Sequence, residues 1–297
     1  MTLEQLRIFV AVAEREHVTR AAQALHLTQS TISAAIAALE ARHDVRLFDR
    51  VGRGVRLTEA GRVFLVEARA VLARAEAAGE VLAELAGLRR GTLRIAASQT
   101  VGAYWLPARL TAFRAAHPRL AVTLAIGNSE QVAAWIGGGE ADLGMVEGPV
   151  ADVDLSPVEV GQDRMVLVLP PGHPLARGGP LDATALKALT FVAREAGSGT
   201  GVMLERLGGS FGLSLADLDI SMELPSNEAL RSAVEAGAGA AVLSALVADG
   251  AVRSGQLAAL ELDLPPRPFF VLRHRARHLA PAARAFLGAL GVAADAA

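Results

Sequence analysis

Residues 19–41, TRAAQALHLTQSTISAAIAALEA, constrain the fold more than any other stretch. They read as two short helices joined by a tight turn. Thr19 has the chemistry of an N-cap, and the helix it opens carries Ala21, Ala22 and Leu25 on its inner side. His26-Leu27-Thr28 makes the turn, with Leu27 free to point into the core. A second helix starts near Gln29 and repeats Ile32, Ile36 and Leu39 at helical spacing, which turns that stripe inward. Thr28, Gln29, Ser30, Thr31, Ser33 and Ala34 then gather at the outward N-terminal end, where a helix-turn-helix meets base edges. The plain alternative is an ordinary helical hairpin. The flanking segments decide between the two.

Before the motif, Leu3, Leu6, Phe9, Val10 and Ala13 form the apolar face of a third helix. After it comes VRLFDRVGRGVRLTEAG, in which Leu47 and Phe48 are apolar anchors. Val51-Gly52-Arg53-Gly54 has turn chemistry between two short extended runs, so this segment reads as a β-wing carrying Arg50, Arg53 and Arg56. A single arginine is most often a solvated charge. Three within seven residues at a hairpin tip favour contact with phosphates or with a narrow minor groove, and Arg50 and Arg53 are the DNA-contacting candidates.

Residues 1–61 resemble the winged helix-turn-helix of LysR-type transcriptional regulators. The match is carried by Phe9 and Ala13, Thr19, Ala21-Ala22, Leu25, Leu27-Thr28-Gln29, Ser33, Leu39-Glu40, Leu47-Phe48, Arg50 and Leu57-Thr58-x-Ala60-Gly61. Three places depart from the family pattern. Ser30 replaces a proline, Ala34 an arginine, and His43-Asp44 a leucine-glycine pair. Without the long donor at position 34 the family's base preference does not carry over, although an alanine can touch a thymine methyl.

The chain has 297 residues and is 52% apolar, which excludes a disordered polypeptide and accommodates two or three domains. Its formal net charge of −2 excludes a generally basic nucleic-acid coat, so the positive charge must be local. Arg42, Arg46, Arg50, Arg53 and Arg56 supply it. With no cysteine there are no disulfides, thiolate metal sites or cysteine nucleophiles. The seven histidines lack metal-ligand spacing, so neither a metal nor a cofactor is expected. Glu4 and Arg7 interrupt the first apolar pattern, which argues against a signal peptide. No apolar run reaches the length of about 20 residues that a membrane span needs. A cytoplasmic protein with no membrane partner is the expectation.

Residues 58–87 read as one long helix capped by Thr58, with Phe64, Val71, Leu72, Leu82 and Leu85 among many alanines. Such a helix must pair, and antiparallel pairing with a twin places two readers on one duplex. Gly87-Leu88-Arg89-Arg90-Gly91 ends it as a hinge.

From Thr92 the rhythm becomes strand, helix, strand, the pattern of α/β construction on parallel strands. TLRIAAS, LAVTLAIGNS, ADLGMVEG, RMVLVLPPGHPLA, LTFVARE, DISMELPS, AAVLS and PPRPFFVLRH read as strands, and 102–116, 129–138 and 280–290 as helices. Met145, Met165, Met203 and Met222 read as core filler. Residues 92–297 resemble the LysR-type effector domain, which is similar to periplasmic binding proteins. That implies two lobes, 92–161 with 267–297 and 162–266, joined by crossings near 160–164 and 264–268. The fold class is α+β multi-domain: winged helix-turn-helix 1–61, linker helix 58–87, and a two-lobed α/β domain 92–297.

Ligands gather beyond the carboxyl ends of parallel strands. Ser98-Gln99-Thr100, Asn128-Ser129, Glu147, Glu195 with Ser198-Gly199-Thr200, and Ser226-Asn227 all stand at such ends. Each hydroxyl or amide is by itself more often a helix cap. The convergence of these loops on one cleft makes the group a candidate site for a small anion held by hydroxyls and backbone N–H groups. Arg-Glu-x-Gly-Ser-Gly-Thr at 194–200 is similar to regulators that answer sulfur compounds or control carbon fixation, which often follow the threonine with arginine; here Gly201 stands there. GSGTG also invites a dinucleotide reading, but Val202 occupies the place of the third glycine. No catalytic constellation is visible. The resemblance implies an operator DNA, a small effector, a homodimer or homotetramer, and RNA polymerase as partners. An enzyme or solute-binding protein with an accessory helical domain is the alternative class.

Overall fold

The computed structural model describes the chain except Arg53, residues 86–90, Pro149, Ala151, Gly178 and residues 294–297. Arg53 of the wing and most of the expected hinge, 87–90, therefore lie outside the described residues. The chain forms two compact units, Met1–Arg89 with Gly137–Glu140 and Arg90–Ile136 with Ala141–Ala297.

The first unit runs α1 (Leu3–Arg15), α2 (Val18–Leu25), α3 (Gln29–His43), β1 (Phe48–Val51), β2 (Gly54–Leu57) and α4 (Glu59–Leu85). Thr2 opens α1 with a capping box, its hydroxyl accepting from Gln5 N while Gln5 returns the bond to Thr2 N. α1 buries two faces. Ile8, Ala11 and Val12 pack on Ala21, Ala22 and Ile32, whereas Leu6 and Phe9 pack with Leu39, Leu47 and Ala68. Leu3, expected on the inner face, is exposed. The Phe9 ring lies 5.3 Å from Phe48 and 4.9 Å from Phe64, tying α1 to the wing and to α4. α2 begins two residues earlier than its sequence cap implied. His17 is the N-cap, and Thr19, inside the first turn, donates its hydroxyl to Gln29 Oε1 instead. Thr58 Oγ1 accepts from Gly61 N at the start of α4. On α4 Val63 and Val66 are exposed, while Phe64, Leu65, Ala68 and Leu72 join the core.

The second unit begins with β3 (Thr92–Ser98), a π-helical turn (Val101–Trp105), α5 (Leu106–Ala116), β4 (Ala121–Gly127), α6 (Ser129–Gly138), β5 (Leu143–Glu147) and β6 (Leu155–Asp163). It continues with β7 (Met165–Leu169), α7 (Ala183–Ala188), β8 (Thr190–Arg194), α8 (Gly201–Ser210), β9 (Asp219–Leu224), α9 (Asn227–Glu235), β10 (Ala241–Ser244), α10 (Ala245–Arg253), β11 (Ala258–Glu261), β12 (Arg267–His274) and α11 (Pro281–Ala289). The helix expected over 102–116 is thus broken: Leu106 N reaches back to Val101 O in a π turn, and Pro107, which has no N–H to donate, sits in the first turn of α5.

One five-stranded sheet has the order β4-β3-β5-β12-β6. The other half holds β10-β7-β11 and the pair β8-β9, linked by a bridge between Phe191 and Ala240. The expectation of parallel strands throughout is corrected here. β3 runs parallel to β4 and β5, and β8 to β9, but β12 is antiparallel to β5 and β6, and β7 to β10 and β11. The reversals arise because the chain crosses between lobes at Arg164 and again between β11 and β12. Each lobe has its own core, Trp105, Phe113, Phe269 and Phe286 in one and Met165, Phe191, Met203 and Leu207 in the other. Met222 is exposed on the edge strand β9 rather than being core filler. Among the described residues no helix is long and apolar enough to cross a membrane.

Candidate nucleic-acid interface and effector cleft

Buried Ile32 and Leu39 fix the rotation of α3, which leaves Thr28, Gln29, Ser30, Thr31, Ser33 and Ala34 all exposed. Thr28 caps the helix, accepting from Thr31 N at 3.2 Å, and its hydroxyl lies 2.8 Å from those of Ser30 and Thr31. The N-terminal turn is therefore a cluster of hydroxyls beside the Gln29 amide, a surface able to donate to and accept from base edges. Asp44 ends α3 with φ +52, the left-handed conformation that glycine adopts without cost and aspartate tolerates. The next link was not anticipated from sequence: Glu40 Oε1 accepts from Leu47 N at 2.7 Å and Phe48 N at 3.1 Å. This carboxylate clamps the first residues of the wing to the recognition helix. Arg50 is exposed on β1, and its register partner Val55 sits on β2 beside exposed Arg56.

In the second unit the loops after β3, β4, β5, β8 and β9 meet, and most of their predicted groups bond to one another. Gln99 Nε2 donates to Pro225 O and Gln99 Oε1 accepts from Asn227 N, both at 2.8 Å. Asn227 Nδ2 donates to Thr100 Oγ1 at 3.0 Å, and Asn128 Nδ2 to Glu195 Oε1 at 3.4 Å. These four bonds join the lobes directly. Ser226 caps α9 through Ala229 N, and Ser198 caps the start of α8 through Thr200 N and Gly201 N. Ser98 is buried and donates to Met145 O. The cap reading therefore holds for several of the hydroxyls.

The open space lies beside this latch. A cavity of about 500 Å³ is lined by Ser129, Glu130, Glu147, Ser198, Gly199, Met203, Arg206 and Arg267, among others. Four of the predicted effector residues, Ser129, Glu147, Ser198 and Gly199, line it. Gly199 is required there, because a Cβ would lie 2.8 Å from Glu147 O.

Two buried guanidiniums shape the cleft: Arg194, noted in the sequence only as part of its motif, and Arg267, which the sequence reading missed. Arg194 is buried and bidentate to Glu195, at 2.7 and 2.8 Å, with a third bond to Asn227 Oδ1. Burial pushes the Glu195 carboxyl up, but the bonds and charge of Arg194 outweigh it and hold the group below the usual range. Arg267 is 1% exposed. It pairs with Asp163 at 2.7 Å, reaches Thr200 Oγ1 at 3.3 Å and Thr100 Oγ1 at 3.5 Å, and leaves Nε without a partner. The cleft thus holds guanidiniums despite Gly201. The sequence signal for Arg267 was its place at the crossing expected near 264–268.

With this geometry in hand, the comparisons are specific. Residues 3–62 match the bacterial regulatory helix-turn-helix protein family of lysR type, and residues 86–294 match the LysR substrate binding domain. The chain belongs to the LysR family. It is a DNA-binding transcriptional regulator with an effector domain, and not an enzyme. It is 35% identical over 289 residues to the uncharacterized HTH-type transcriptional regulator YeiE of Escherichia coli, covering 97% of this chain and 96% of that one. It is 34% identical over 288 residues to the RuBisCO operon transcriptional regulator of Allochromatium vinosum, covering 96% and 94%. Its effector domain resembles the regulatory domain of Synechocystis CcmR in complex with 2-PG, at a TM-score of 0.60 and 30% identity over 68% of this chain and 96% of that one. The first two of these relatives match along both halves of the chain, and the third along the effector domain alone.

Proposed function

We propose that this LysR regulator binds an inverted-repeat operator as a homodimer, with Gln29, Ser30, Thr31, Ser33 and Ala34 in the major groove. Thr28 stays at the cap, and Arg50 and Arg53 meet the backbone or the adjacent minor groove. Residues 1–61 read DNA, 58–87 pair the subunits, and 92–297 sense a small organic anion between lobes 92–161 with 267–297 and 162–266. Two dimers form a homotetramer, and the assembly acts in the cytoplasm on RNA polymerase.

The observation that carries the reading is the exposed polar turn at the start of α3, standing over a buried Ile32–Leu39 stripe. Exposed Val63 and Val66 on α4 support pairing through that helix. The 2-PG held by the CcmR domain supports an organic anion as effector here. Gln99, Thr100, Asn128, Glu195, Thr200 and Asn227 then act chiefly by holding the lobes together around it, Ser98 and Ser226 brace the loops of their own lobes, and Ser129, Glu147, Ser198 and Gly199 face it.

The test is a gel shift and footprint on the DNA upstream of the protein's own gene. Ser33→Asp puts a carboxylate against the groove and should abolish the specific footprint while the circular dichroism stays native. An unchanged footprint refutes the recognition-helix assignment. Binding should also weaken steeply with salt, as phosphate contacts require.

A further inference from the structure

We infer that the cleft selects an oxyanion that carries its own hydrogen-bond donor, an O–H or N–H facing Glu147, and rejects one that can only accept. This rests on the reading of the cleft as the effector site and adds the chemistry of its ligand.

The lining charges point this way. Glu130, Glu147 and Asp152 bring three carboxylates to the cavity, against the guanidiniums of Arg206 and Arg267. Arg267 is already half-committed to Asp163, at 2.7 Å. A fully deprotonated anion would gain the remaining field of Arg267 and lose much of it to Glu147, which is buried at 4% exposure. Both Glu147 oxygens already act as acceptors, Oε1 from Thr100 N at 3.1 Å and Oε2 from Ser129 Oγ at 3.5 Å. A carboxylate has only acceptor sites, so a ligand oxygen at its side must bring a proton. Unmet acceptors facing each other in a dry site are costly, whereas a donor on a charged acceptor is among the stronger bonds available. Arg267 stands close by, since Thr100 bonds to Glu147 through its N and to Arg267 through its Oγ1, and Arg267 Nε is buried without a partner.

Size narrows the class further. About 500 Å³ is roughly fifteen water molecules' share of volume, far more than a bare oxyanion fills. Ala133, Ala134, Val202 and Met203 line the remainder. The ligand is therefore a small organic molecule with one anionic group, a neighbouring donor and a short apolar segment. Protonated phosphate monoesters and hydroxy- or aminocarboxylates satisfy that description; sulfate does not.

Inorganic phosphate and sulfate are the minimal pair of probes, alike in size and differing in the proton. Calorimetric titration of the full chain at pH 7 and matched ionic strength should show phosphate binding at least about tenfold more tightly. Glu147→Gln keeps an acceptor for Thr100 N and gains a donor, so it should narrow the gap to under about threefold, chiefly by improving sulfate. Arg267→Met, made together with Asp163→Asn so that no buried carboxylate is orphaned, should weaken both ions about tenfold or more, while Arg267→Lys keeps the order. Equal affinities in the wild type, an unchanged gap in E147Q, or no binding of either ion overturns the inference. A gel shift on the same samples separates the two levels: intact operator binding without ion preference defeats this inference and leaves the regulator reading standing.

Discussion

Removing the Glu40 carboxylate isolates what holds the wing to the recognition helix. Glu40→Ala orphans Leu47 N and Phe48 N, which the carboxylate now receives at 2.7 and 3.1 Å. Hydrogen bonds to a charged group contribute about 1.5–3 kcal/mol each, and these are part-buried, so the lower end applies: about 3 kcal/mol in all. For a domain of this size about 1 kcal/mol moves the melting temperature by about 4–8 °C, which puts the loss at about 12 °C or more. Glu40→Gln retains Oε1, the oxygen that takes both bonds, and loses only the charge, so about 1 kcal/mol is expected. The assay follows from where the fluorophores sit. Both tryptophans, Trp105 and Trp135, belong to the second unit. Tryptophan emission therefore reports the effector domain, whereas ellipticity at 222 nm reports helices in both. E40A should lower the early part of the ellipticity melt and leave the emission melt in place. A fall of less than about 3 °C, or an equal fall in both signals, refutes the clamp.

Three further outcomes follow. Asp44→Gly should stabilise the same unit by about 0.5–1 kcal/mol, because position 44 is held at φ +52, and a lower melting temperature for D44G would contradict this. Gln99→Ala removes the acceptor of Asn227 N and the donor to Pro225 O; amide exchange at Asn227 should speed up by about tenfold or more while β8 amides keep their protection. Glu195 has a depressed folded pKa, so its contribution to stability is complete above its ordinary value of about 4.3 and is lost as pH falls below it. The tryptophan melt should therefore drop on acidification through that window, and Glu195→Gln should flatten the slope; identical slopes would remove Glu195 as the cause.

The DNA-reading unit was legible because its information is local. The 3.6-residue spacing of Ile32, Ile36 and Leu39 and the cap chemistry of Thr28 act within a few residues of themselves. Strand direction is not local. β6 has no apolar run and alternates partly and fully exposed residues between its buried ends, and β11 is four residues long, so neither announces itself in the sequence. Without them the antiparallel placing of β12 and β7 is invisible. In the cleft, residue types at strand ends marked loops that meet in the structure. They could not say which hydroxyls are spent on caps or on the opposite lobe. Arg267 was missed because its partner Asp163 is 104 residues away in sequence, although the two face each other in register. Nothing in the sequence measures that proximity.

Register pairing of Asp163 with Arg267 places a charged staple where both lobe-to-lobe strands pass. The pair ties the outgoing connection to the returning one at the junction of the lobes. On the proposed function, a ligand bonded to Arg267 would act on the junction of the two lobes rather than on either lobe alone.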